Sequence, residues 1–320
     1  MMRQLFPVDH QDYLNSARAL LGTLWYVAEL EGMYLPNWDQ GGAIPEGSLL
    51  QQPSQLDRAD PFAPVMAANH APAVLQVLRE DPRRRIAVVL RPCEWRSFYA
   101  LTNGSGERFE NLFTIGADCT GVIAVDDFIR LSQGDPQRMT RQVLHFASQG
   151  GLLPSRHQTS CQLCADPFPG EVDLHFELFG IPTEEQLVLH FSDVETAQAL
   201  SKQSPASEVP SILSDRRDQV LEDLARWRAS SFEKTKTQLG ADLISVRGLA
   251  AHLQSCESCL ATLKAHCPLI DLEKFSALTD SDLEEFRAWL QSCSGCGVCD
   301  HSCPQEYPLF GVIFSLRGIQ

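Results

Sequence analysis

Hydrophobic positions along the first two hundred residues switch between a helical and a strand-like period. Leu14 to Leu30 carries apolar residues at helical spacing, with Asn15 or Ser16 near its start. Residues 40–64 are rich in Gly, Pro, Gln and Ser and read as a long loop. Ala73 to Arg79 reads as a short helix. Ile86-Ala87-Val88-Val89-Leu90 is a continuous apolar run of strand length, stopped by Arg91-Pro92, as expected for a strand buried on both faces. A helix from Glu94 to Leu101 follows, then a short strand over Leu112 to Ile115. Val122 to Val125 fits either a strand or a helix start, and Val172 to Phe179 and Gln186 to Phe191 read as further strands. This alternation predicts an α/β domain with a mixed sheet and flanking helices.

Beyond residue 200 the pattern changes. Residues 201–211 (SKQSPASEVPS) read as a linker, and Asp215 to Arg228 as a charged surface helix. From about residue 235 short helical segments lie between groups of cysteines, and Ser281-Asp282-Leu283-Glu284 fits a capping box opening a helix that ends at Gln291. The expected division is an α/β domain over 1–235 and a small helical domain over 236–320.

Charge narrows the possible partners. The 320-residue chain has a formal net charge of −15, and no basic stripe for nucleic acid is present. No apolar run approaches membrane-spanning length, and MMRQLFPVDHQDYL lacks a signal-peptide core, so a cytoplasmic protein without a membrane span is expected. Eleven cysteines, an odd number, do not suit a fully paired disulfide framework. They also cluster, which points to metal.

CSGCGVCDHSCPQ places Cys293, Cys296, Cys299 and Cys303 at gaps of two, two and three residues, with a proline after the last. Three thiolates so spaced wrap one corner of a [4Fe–4S] cluster, and in two-cluster ferredoxins the fourth serves the other cluster. Zinc ribbons use separated cysteine pairs, so iron–sulfur is the better reading of this run. Upstream, CESCLATLKAHCP keeps Cys256, Cys259 and Cys267, with Thr262 where a third cysteine belongs. The exchange rule gives one complete set, Cys267, Cys293, Cys296 and Cys299. It leaves Cys256, Cys259 and Cys303 one ligand short. A non-cysteine ligand (His252 and His266 are near in sequence), a three-iron species, or no cluster are the open outcomes.

The other four cysteines lack local ferredoxin spacing. Cys93 follows the strand 86–90, Cys119 follows the run 112–115, and Cys161 and Cys164 form a CxxC in a loop. The carboxyl edge of an α/β sheet is where such folds build sites, so one shared four-thiolate site is one reading and buried free thiols the other.

VVLRPCEWRSFYAL, IGADCTG and SCQLCADPFPGEVDLHFELFG, in this order, resemble the beta-subunit family of F420-reducing hydrogenases and F420-dependent formate dehydrogenases. The resemblance covers roughly residues 15–190. It implies that Cys93, Cys119, Cys161 and Cys164 hold one [4Fe–4S] cluster on an α/β core, with FAD close by. It also implies other subunits of a redox complex and a small electron carrier as partners. The family's Gly-Gly pair at the opening of the first helix is not found in DHQDYLNSARALLG; Gly41-Gly42 comes after that helix. The resulting expectation is an iron–sulfur electron-transfer subunit with two or three [4Fe–4S] clusters, the C-terminal ones on a ferredoxin-like domain. It would relay electrons between a partner such as a hydrogenase, formate dehydrogenase or heterodisulfide-reductase-like complex and a flavin or soluble carrier. A zinc-stapled scaffold protein and a self-sufficient F420- or NAD(P)-linked flavoenzyme are the alternatives.

Overall fold

The computed structural model describes residues 2–39, 41–150, 157–239, 244–270, 280–301 and 307–317. Seven strands form one mixed sheet: β1 (Met2–Pro7), β2 (Gly32–Asn37), β3 (Glu46–Leu50), β4 (Ile86–Val89), β5 (Leu112–Ala117), β6 (Leu174–Glu177) and β7 (Gln186–Phe191). Their order across the sheet is β1-β7-β6-β5-β4-β2-β3. The central strands β2, β4, β5 and β6 run parallel, whereas β3, β7 and β1 add antiparallel edges.

The apolar run at β4 is continuous because both of its faces are covered. Ala87 and Val89 join the core beneath α1 (Tyr13–Val27), while Ile86 and Val88 pack on the opposite side with α2 (Ala71–Glu80) and α3 (Pro92–Ser105). On that second side the Trp95 ring is fully buried, and its indole N–H donates to the Ile115 carbonyl at 2.9 Å, tying α3 to β5.

Downstream lie α4 (Val125–Leu131), α5 (Arg138–Ser148), α6 (Thr159–Leu163), α7 (Val194–Gln203) and α8 (Ser211–Leu239). The cysteine-rich part is helical, with α9 (Val246–Ser255), α10 (Glu257–His266), α11 (Asp280–Ser292), a 3-10 turn over Val298–His301 and α12 (Leu309–Arg317). It has its own apolar core, including Leu249, Leu253, Leu263, Phe286, Trp289 and Ile313. Such a region is compatible with a small iron–sulfur domain. Helix α8 runs unbroken through position 235 and packs against both α6 and α12.

Three local expectations are corrected. The first helix spans Tyr13–Val27 and does not reach Leu30; Asp12 caps it, its carboxylate accepting from the Asn15 backbone N–H at 3.0 Å. The 40–64 segment is not all loop: β3 pairs with β2, and a 3-10 turn spans Pro53–Arg58. The helix over 215–228 is not wholly on the surface, because Arg217 and Arg228 are buried.

Candidate metal centres

Four thiols meet at the carboxyl edge of the sheet. Cys93 lies in the first turn of α3, immediately after β4. Cys119 follows β5, Cys161 sits within α6, and Cys164 caps that helix. All four line one cavity, together with Arg96, Arg228 and Cys296. Each remains partly accessible because it faces this space.

The sequence shapes this site locally. Gly121 has φ of +90°, and a Cβ there would fall 2.9 Å from the His157 ring and 3.3 Å from the Cys161 Cβ. Only glycine lets the chain pass between these groups. The next backbone N–H, of Val122, donates to the Cys161 sulfur at 3.2 Å. Arg96 donates to the Asp166 carbonyl at 2.9 Å and to the Ser294 carbonyl at 3.0 Å, so one side chain holds both the CxxC loop and the C-terminal cysteine loop.

Burial, followed by the proximity of other negative groups, sets the acid–base character. It pushes the Cys161 thiol up to about 12, with Cys119 adding to the effect, and raises Cys93 and Cys119. Burial alone would lower Arg96, but Cys93, Cys164 and Asp166 hold its guanidinium above its ordinary value. Four such thiols cannot all ionise side by side unless a cationic centre takes up the charge, and a metal or cluster does so by displacing the protons. The donor set therefore fits a thiolate-bound metal group.

Beside this site, Asp118 is buried and accepts from the Leu178 and Phe179 backbone N–H groups at 2.8 and 3.1 Å. His175 Nε2 lies 2.8 Å from its other oxygen, and the Arg217 guanidinium spans both oxygens. Burial would raise this carboxyl, but His175 and Arg217 outweigh it and hold it well below the usual carboxylate range. Asp118 thus fixes α8 to the end of β5, one residue before Cys119. Sequence reasoning overlooked Arg217 and Arg228. The available signal was their register: Leu213, Arg217, Leu224 and Arg228 repeat at helical spacing on one inward face.

A second set of thiols gathers in the C-terminal region. Cys267 follows α10, Cys293 follows α11, and Cys299 lies in the 3-10 turn. Burial raises all three, pushing Cys293 up to about 11, and in each case the charge of Cys296 adds to the effect. The structure thus brings Cys267, Cys293, Cys296 and Cys299 together. Cys296 also faces Cys93 across an apolar seam of Met66, Val122 and Val298. Gly297, with φ of +72°, keeps this approach close, because a Cβ there would overlap the Ser160 hydroxyl.

A third group comprises His252, Cys256 and Cys259, whose ligand atoms all lie within 4.8 Å of one another. Thr262 is buried close by in α10, while His266 is exposed. Cys303 lies outside the described residues.

One further cavity opens at the ends of β4 and β5 beside Phe62, Leu90, Arg91 and Thr120. The Arg91 guanidinium is already occupied by the Ala63 and Val65 carbonyls, at 2.8 and 2.6 Å, and by Glu94. No helix among the described residues is long and apolar enough to cross a membrane.

No family model and no curated protein matches the chain. Among solved structures, its fold is similar to a chain of the F420-reducing [NiFe] hydrogenase complex from Methanosarcina barkeri, determined as a xenon derivative. The match has a TM-score of 0.55 at 11% identity and covers 76% of this chain and 94% of that chain. At that identity the similarity establishes a shared fold.

Proposed function

We propose that the chain is an iron–sulfur electron-transfer subunit of a redox complex. In this reading Cys93, Cys119, Cys161 and Cys164 bind one [4Fe–4S] cluster on an α/β domain over residues 1–235. Cys267, Cys293, Cys296 and Cys299 bind another on a ferredoxin-like domain over 236–320. A cluster at each place supplies one-electron storage, with a potential set by charge, hydrogen bonds and exposure. The observation that carries the reading is the meeting of the two four-thiol groups at Cys93 and Cys296.

The chain's own residues would govern transfer in three ways. Met66, Val122 and Val298 exclude water from the seam between the groups. Arg96 fixes the two loops relative to each other. Arg96 and Arg228 place positive charge beside the first group, which favours its more reduced, more negative state. The fold shared with a hydrogenase-complex chain supports partner subunits of a redox complex. A soluble carrier at the other end of the path and a cytoplasmic location are part of the same proposal.

The relay as proposed needs no flavin adenine dinucleotide on this chain. In the cavity at the ends of β4 and β5 the arginine is already engaged by the Ala63 and Val65 carbonyls. A flavin belonging to a partner remains compatible with the relay.

The test is a reductive titration of the anaerobically purified protein, followed by electron paramagnetic resonance. Two reduced-cluster signals that broaden each other when both are reduced are expected. A colourless protein carrying only zinc would overturn the proposal in favour of the scaffold reading.

A further inference from the structure

His252, Cys256 and Cys259 stand apart from both four-thiol groups and have a different geometry. Cys256 ends α9 and begins α10, Cys259 lies in the first turn of α10, and His252 reaches them from the last turn of α9. Both thiols are buried, Cys256 at 4% and Cys259 at 1% exposure, within the C-terminal apolar core. The His252 ring stacks on Tyr307 with centroids 3.6 Å apart and planes 12° apart. That stacking directs Nε2 to within 3.4 Å of the Cys259 sulfur.

The distances distinguish between two kinds of occupant. Ligands of a single tetrahedral ion, bound at about 2.0–2.3 Å, stand about 3.5 Å from one another. Ligands of a cubane each take a different iron and splay outward from its corners, so they stand much further apart. A 3.4 Å separation between an imidazole nitrogen and a thiol sulfur matches the single ion. A donor set of two sulfurs and one imidazole nitrogen suits zinc as well as iron–sulfur centres, and the close spacing selects the single ion.

We infer that His252, Cys256 and Cys259 supply three ligands of a mononuclear zinc site that staples α9 to α10 and carries no electrons. It replaces the second C-terminal cluster that the cysteine spacing allowed. Zinc has no redox chemistry, so the site ends the electron path on this side of the domain and stabilises the fold that presents Cys267 and Cys299.

The test is metal analysis of full-length protein purified anaerobically from cells supplied with both iron and zinc. Wild type is expected to carry one zinc per chain. Cys259→Ser and His252→Ala are expected to lower zinc at least tenfold with iron unchanged, while His252→Cys keeps it. Zinc-edge X-ray absorption of the wild type is expected to show sulfur and imidazole scatterers together, a result that does not depend on how any variant folds. Loss of iron without loss of zinc in Cys259→Ser, or wild-type protein free of zinc, would overturn the inference. Iron read from the same digest reports separately on the two four-thiol groups, so its absence would sink the relay and leave this site standing.

Discussion

Replacing Arg217 with methionine tests how the first four-thiol site is held. Arg217 is only 9% exposed and Asp118 not at all, so solvent screens their interaction little. The substitution keeps the aliphatic stem, removes the cation, and leaves Asp118 with two backbone N–H groups and His175. Breaking a buried pair from one side typically costs about 3–5 kcal/mol. The pH dependence separates this from a simple loss of packing. The unfolded Asp titrates near 4 and the folded one lower, so the wild-type pair contributes fully above about pH 4 and fades as pH falls through the folded value. Without Arg217 the folded value rises, and a proton then relieves the stranded charge. The deficit of the variant should be largest at neutral pH and narrow toward pH 4. Anaerobic urea denaturation of wild type, Arg217→Met, Asp118→Asn and the double variant at several pH values measures this. A change within about 0.5 kcal/mol, or a deficit independent of pH, would refute the reasoning.

Three other outcomes are expected. Cys296→Ala should halve the iron per chain and leave the signal of the N-terminal site present but no longer broadened by a neighbour, as paramagnetic resonance would show. Gly297→Val should keep most of the iron but weaken that mutual broadening, because its side chain meets Ser160 and pushes the two loops apart. Asp60 is buried, and burial raises its carboxyl to about 6 despite hydrogen bonds from Thr140 and Trp38. Its folded value lies above the unfolded one, so this group adds stability as pH falls from 7 through 6 toward 4, by up to about 3 kcal/mol. Asp60→Asn should abolish that rise in a thermal melt series.

Much of the sheet was legible because β4, β5 and β7 are largely apolar runs of strand length, while β6 alternates apolar and polar positions. The edges were not. β1 contains Arg3 and Gln4, and β2 contains Pro36, so neither shows a clean two-residue period. Arg3 is placed there by Glu177, to which it donates at 2.9 and 2.7 Å, and that is a tertiary reason. Cysteine positions could be read as groups from spacing and from strand ends. The neighbourhood of Cys93 and Cys296 could not, since it depends on how Arg96 and the Gly297 turn bring two distant segments together. His252 was visible only as a histidine near an incomplete cysteine run; its role depends on the bend at Cys256 and the stacking on Tyr307. The buried arginines of α8 were masked by the many charges around them.

Quantifying iron and acid-labile sulfide in anaerobically purified protein tests the central claim most directly. Two [4Fe–4S] clusters predict about eight iron and about eight sulfide per chain. Absence of iron and sulfide, with zinc filling the cysteine sites, would contradict it.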